Sequence, residues 1–188
     1  CFSFDNAALN TVKTGKGRLV SHEEARLIIK QAQAAGLVLQ PANSQNPIFM
    51  CACCSCCCGV LRHIKEEPNP GDLVANPFVA QYASEECIAC GACVDICPMA
   101  ALTLDELDNI NFEQDRCIGC GLCVSVCPSE ALKMVRKTEG SQPKIPKNTT
   151  GTYLSIAMAR GIEEVLTLMK MVIRYFMNRI IGTKRSGD

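Results

Sequence analysis

The run Cys87-x₂-Cys90-x₂-Cys93-x₃-Cys97-Pro98 recurs thirty residues later as Cys117-x₂-Cys120-x₂-Cys123-x₃-Cys127-Pro128. Eight sulfurs at such spacing constrain the fold more than any other feature, because the backbone must wrap them around something. The likeness extends past the cysteines: residues 87–104 and 117–134 share 10 identities in 18 aligned positions. Repetition of this kind predicts one supersecondary unit used twice about a pseudo-twofold axis. The apolar stretches Ala100–Leu104 and Ala131–Val135 read as strands that follow each half. Tyr82 and Phe112 each stand five residues before the first cysteine of a run, where each would cover a bound group from a preceding strand.

Soft thiolates select iron–sulfur clusters, zinc or Cu(I). A doubled x₂-x₂-x₃-Pro pattern is hard to obtain from a zinc ribbon, and it matches the known bacterial two-cluster run. In that known pattern the fourth cysteine of each run serves the other cluster. The match assigns Cys87, Cys90, Cys93 and Cys127 to one [4Fe–4S] cluster, and Cys117, Cys120, Cys123 and Cys97 to the second. Gly91 and Gly121 stand where backbone must pass close to inorganic sulfide, and Pro98 and Pro128 turn the chain out of each loop. Residues 78–135 resemble the clostridial-type two-[4Fe–4S] ferredoxins. Only residues 105–112 separate the halves, and every ligand position carries Cys, so the resemblance implies two four-iron clusters and outer-sphere transfer of single electrons.

Fifteen cysteines in 188 residues would suit a disulfide scaffold in a secreted chain. Cysteines in metal-ligand spacing, with no apolar signal peptide at the start, point to the cytoplasm instead. The chain begins at Cys1, so it reads as processed or as part of a longer protein. With no Trp and 5% aromatics, a large conventional core is not expected, and clusters would supply much of the folding free energy. The zero net charge conceals three regions. Residues 1–78 carry 7 basic and 6 acidic side chains, residues 79–133 carry 2 and 9, and residues 134–188 carry 10 and 4. An acidic body steers toward a basic rim on a redox partner, unless the basic tail folds over it. The basic residues are not interleaved with stacking aromatics, which argues against nucleic acid.

In the N-terminal third, Ser21 and Glu24 form a capping box and Gly36 a stop, predicting an amphipathic helix over 22–35 with Ala25, Ile28, Ile29, Ala32 and Ala35 on its apolar face. A strand-like run Leu37–Leu39 follows, then a loop from Pro41 to Pro47. Next comes Cys51-Ala52-Cys53-Cys54-Ser55-Cys56-Cys57-Cys58-Gly59. Six neighbouring cysteines make no sense as buried structural thiols, because successive side chains point in different directions. They read as a further iron–sulfur centre, with Cys1 as an additional ligand; zinc, copper or a redox-active thiol site are the alternatives. His63 lies near this block and reads as a surface residue in preference to a ligand.

Residues 1–160 resemble multi-cluster ferredoxin-like proteins of anaerobic bacteria and archaea, through "AGLVLQPANSQNP, CACCSCCCGVLR, then two cysteine runs". That resemblance implies anaerobic metabolism and further cysteines upstream of Cys1. Cys57-Cys58-Gly59 also resembles the CCG motif of heterodisulfide reductase catalytic subunits, although that family uses two copies.

After a Lys-, Pro- and Asn-rich linker over 137–152, residues 153–181 predict a long helix with Ile162, Leu166, Met169, Ile173, Phe176 and Ile180 along one line. Arg160, Glu163, Glu164, Lys170, Arg174 and Arg179 rule out a transmembrane span, each mid-bilayer Arg or Lys costing roughly 2.5–3.5 kcal/mol. Its apolar stripe suits an oligomer or subunit contact, or docking at a membrane surface.

The expected fold class is α+β. A ferredoxin-like dicluster domain (78–136) is flanked by an N-terminal helical, cysteine-rich segment (1–77), the linker, and the C-terminal helix with its basic tail (153–188). The expected function is an electron carrier or electron-transfer subunit serving a larger oxidoreductase complex, in preference to a catalyst. The other two classes are a disulfide-reductase-like subunit whose Cys51–Cys58 centre is catalytic, and a redox sensor.

Overall fold

The computed structural model describes residues 1–107, 109–141 and 144–160. The chain opens with β1 (Phe2–Ser3) and α1 (Asp5–Lys13), which the sequence does not announce because the helix carries little apolar periodicity and buries no residue. α2 (His22–Ala34) begins at the expected cap, with the Glu24 N–H donating to Ser21 Oγ at 3.1 Å. Only half of the capping box forms, because the Glu24 carboxylate turns outward to pair with Arg18. Gly36, at φ +70°, ends the helix in a Schellman arrangement: Leu37 N–H reaches Ala32 O and Gly36 N–H reaches Gln33 O, both at 2.9 Å. Ala25, Ile28 and Ile29 are half-buried and Ala32 is buried, so the apolar face packs inward, while Ala35 at the cap is exposed.

β2 (Val38–Pro41) pairs antiparallel with β3 (Phe49–Cys53), and β1 takes the other side of β3, giving the order β1-β3-β2. The cysteine-rich block is therefore not one turn. Cys51 and Cys53 are strand residues, opposite Gln40 and Val38, and only Cys54–Cys57 turn. α3 (Gly59–Glu66) follows, with Leu61 fully buried and one turn of 3-10 helix over Pro70–Leu73 behind it.

The doubled segment comprises β4 (Phe78–Tyr82), α4 (Ala92–Ile96), β5 (Leu102–Leu104), β6 (Ile110–Phe112), α5 (Leu122–Val126) and β7 (Leu132–Arg136). β4 pairs antiparallel with β7, from Phe78 opposite Arg136 to Tyr82 opposite Leu132. β5 pairs with β6, from Leu102 opposite Phe112 to Leu104 opposite Ile110. Each half thus starts and ends in a strand whose partner belongs to the other half. The strands after the two runs start two residues and one residue later than the apolar stretches suggest, at Leu102 and Leu132. Ala100 and Glu130 take φ of +50° and +57°, so the chain is still turning there.

Two apolar clusters hold these elements. Ala80, Cys93, Leu102, Ile110, Cys123 and Leu132 form the first, inside the doubled segment. Val38, Leu61, Met99, Ile118 and Leu122 form the second, which joins β2 and α3 to the second half. Arg116 reinforces that junction: its guanidinium donates to Lys65 O (3.0 Å), Glu67 O (3.3 Å), Pro68 O (3.4 Å) and Met99 O (2.9 Å).

Among the described residues, Ser44–Asn46 and residues 146–160 form a second compact unit. Within it, Gln45 N–H donates to Pro146 O at 2.8 Å, and α6 (Thr149–Arg160) starts with Gly151 N–H donating to Asn148 Oδ1 at 2.9 Å. The expected helix over 153–181 is described only as far as Arg160, and its stripe from Ile162 to Ile180 lies outside the described residues. Among the described residues no helix is long and apolar enough to cross a membrane.

Candidate metal centre

Each cysteine run is a loop of left-handed turns that ends in a short helix. Gly91 and Gly121 are the N-caps of α4 and α5 at φ +74° and +78°. A Cβ there would stand 3.6 Å from Leu104 and 3.8 Å from Met134, ordinary contacts, so backbone conformation alone already calls for glycine. Gly119 is more restricted: at φ +67°, a Cβ would lie 2.2 Å from Phe78 O and 2.8 Å from Asn76 Nδ2. Asn76 fastens this loop, its amide donating to Ile118 O (3.0 Å) and Gly119 O (2.8 Å) while Oδ1 accepts from Phe78 N–H (2.9 Å).

These loops line two cavities. Cys87, Cys90, Cys93 and Cys127 face one, together with Tyr82, Ile110 and Leu132. Cys117, Cys120, Cys123 and Cys97 face the other, together with Phe112, Met99 and Leu102. The final cysteine of each run thus lines the cavity of the opposite run. Tyr82 and Phe112, from the ends of β4 and β6, each wall one cavity. The Tyr82 hydroxyl bonds to the Cys87 thiol, which with burial pushes its pKa up to about 12.

Burial pushes the Cys120 thiol up to about 11 and the Cys123 thiol up to about 12, and it raises Cys93 as well. Neighbouring thiolates add to each rise. Buried thiolates gathered in one cavity are held most readily beside a cation, since buried charges are paired or coordinate metals. Among the described residues no lysine or arginine lines the first cavity. Arg116 lines the second, but its donors serve four backbone carbonyls. A single tetrahedral zinc, with arms of about 2.3 Å, would draw its sulfurs to about 3.8 Å from one another. Among the described residues, no three ligand atoms of these eight cysteines lie within 4.8 Å of one another. The spread donor sets fit a polynuclear cluster, with one thiolate for each iron.

A family model described as a 4Fe-4S dicluster domain matches residues 86–131, which span all eight of these cysteines. This stretch is an iron–sulfur, ferredoxin-like domain. No curated protein matches the chain. Such a domain makes the chain an iron–sulfur electron-transfer protein, and electron transfer implies a redox partner.

The two halves of the ferredoxin-like domain differ in cover. Ile88 is 64% exposed, whereas Ile118, its equivalent, is 6% exposed beneath the second apolar cluster. Cys90 is exposed and its equivalent Cys120 is not. The cover comes from β2 and α3, so the N-terminal segment packs over the Ile118 and Cys120 edge of one cavity, while the equivalent edge of the other, at Ile88 and Cys90, is exposed.

The cysteine-rich block divides into two groups. Cys51 and Cys53 alternate along β3 and so share one face; Cys58, before α3, interacts with Cys53, and its sulfur lies 4.0 Å from Gln40 Nε2. Cys53 and Cys58 also pack against the second apolar cluster, as does Cys120. Cys1 precedes β1, whose Phe2 stands opposite Met50, so extending that register puts Cys1 opposite Cys51. The other group is Cys54, Cys56 and Cys57, whose sulfurs all lie within 4.8 Å of one another. A hydrogen bond from Cys56 lowers Cys54 to about 7, and Cys56 itself rises to about 11. His63 is paired with Glu67 at 3.9 Å and joins neither group.

Proposed function

We propose that the chain is a relay protein carrying two [4Fe–4S] clusters, with a further thiolate-held centre in the Cys51–Cys58 block, passing single electrons to or from a larger redox enzyme in a reducing cytoplasm. One cluster is held by Cys87, Cys90, Cys93 and Cys127, the other by Cys117, Cys120, Cys123 and Cys97, in a pseudo-twofold pair. The observation that carries this reading is the lining of the two cavities, each by three cysteines of one run and the last cysteine of the other. A bound cluster supplies reversible one-electron chemistry at a potential set by its surroundings. The chain's own residues fix the ligands, exclude water with Phe112, Met99 and Leu102, and leave the edge at Ile88 and Cys90 open. The Cys90 side is therefore the exit toward a partner. Cys53 and Cys58, packed with Cys120, stand at the inner end, and Cys1, Cys51, Cys53 and Cys58 are the set a third iron–sulfur cluster would use.

Anaerobic reductive titration tests this. The protein is expected to take up at least about two electrons per chain, one for each four-iron cluster. A soluble dysprosium chelate should then shorten the spin relaxation of the cluster at Cys90 more than that of the cluster at Cys120. Protein that takes up no electrons would refute the relay reading. Equal relaxation would refute the exit.

A further inference from the structure

The turn between β3 and α3 carries chemistry that the two cluster cavities do not share. Cys58 N–H donates to Cys54 O at 3.1 Å, closing one loop of chain and gathering the side chains of Cys54, Cys56 and Cys57. Cys56 Sγ and Cys57 Sγ are 3.6 Å apart, and all three sulfurs fall within 4.8 Å of one another. That spacing is close to the edge of about 3.8 Å expected for thiolates bound to one tetrahedral ion with arms of about 2.3 Å. It contrasts with the ferredoxin-like domain, where no three of the eight sulfurs approach so closely among the described residues. A cube places each thiolate at a different corner and spreads them apart. One chain therefore presents two kinds of thiol site, wide and tight.

We infer that Cys54, Cys56 and Cys57 hold a single thiophilic d¹⁰ ion, Zn²⁺ or Cu⁺, and not an iron–sulfur cube. Three thiolates at one centre suit such ions by softness, and neither metal changes oxidation state on binding. Each bound thiol releases its proton to solvent, and no electron moves. Cys54 is half-buried while Cys56 and Cys57 are exposed, so the ion sits at the surface, where a Zn²⁺ would take water or a small ligand as its fourth partner. Cu⁺ would be complete as a trigonal centre with the three thiolates alone. This inference rests on the reading of the cysteine-rich block as a metal centre and is independent of the two clusters. It assigns the turn a role apart from the face of Cys51, Cys53 and Cys58.

The test uses the full chain, loaded anaerobically with iron and sulfide so that the cluster cavities are filled, then equilibrated with Zn²⁺ and desalted. Elemental analysis is expected to find about one zinc per chain, and Co²⁺ in its place should show thiolate-to-metal charge-transfer absorption. The variant Cys56→Ser with Cys57→Ser should lose at least nine-tenths of the zinc and the cobalt bands while its iron content stays unchanged. Cu⁺ bound in the wild type and lost in the same variant supports the inference equally. Wild-type protein that binds neither ion overturns it, as does zinc retained by the variant. So does about four additional iron per chain that disappears with the same two substitutions. A shortfall of iron in both proteins would instead indict the two-cluster reading.

Discussion

Replacing Cys97 with serine is expected to remove the cluster at Cys117, Cys120 and Cys123 and to leave the one at Cys87, Cys90 and Cys93. Cys97 ends the first run, yet it lines the second cavity, with its sulfur accepting from Ala101 N–H at 3.3 Å. Iron in the ferredoxin-like domain should fall by about half, that is by about four per chain. Pairs of substitutions make the crossing explicit. Cys97→Ser with Cys120→Ser strikes one cavity twice, so iron should fall no further than in the single variant. Cys97→Ser with Cys90→Ser strikes both cavities, and the domain should lose all of its roughly eight irons. The reverse pattern, with Cys97 and Cys90 acting as one, would show that each run serves only itself.

The second large effect is expected on removing the metal. The first apolar cluster has six buried residues, two of them Cys93 and Cys123, and Cys87, Cys97, Cys117 and Cys127 pack against it. Its sheets are two-stranded pairs, which are marginal alone in water. Structural metals in small domains contribute on the order of 10 kcal/mol, comparable to a whole domain's stability of about 5–15 kcal/mol. Anaerobic chelation should therefore abolish the pairing of β4 with β7, read as loss of hydrogen-exchange protection at Val79–Gln81. Amides that stay protected in iron-free protein would show that the apolar contacts suffice.

What was legible from the sequence follows from how local each signal is. The cysteine spacing, the cap at Ser21 and the stop at Gly36 are set by near neighbours, and the structure contains them. Gly91 and Gly121 stand out in the sequence as places of close approach to sulfide, whereas what the structure shows there is a left-handed backbone. The strand β3 was missed because Phe49–Cys53 reads as the approach to a ligand cluster; its strand character comes from partners at Val38–Pro41 and Phe2–Ser3. α3 was missed because eight residues give too few turns to show a period. Ile88 and Ile118 occupy equivalent positions in the two runs yet differ tenfold in exposure, because only one packs with residues of α3 and β2. Such asymmetry is tertiary, and a repeat alone predicts the opposite. The division of the cysteine block likewise depends on where β3 ends, at Cys53.

The most direct measurement is the iron and acid-labile sulfide content of the chain prepared without oxygen. The account predicts equal amounts of the two, at least about eight of each per chain, with about four of each lost on Cys97→Ser. Protein that holds no iron, or that fills the eight-cysteine cavities with zinc and no sulfide, would contradict it.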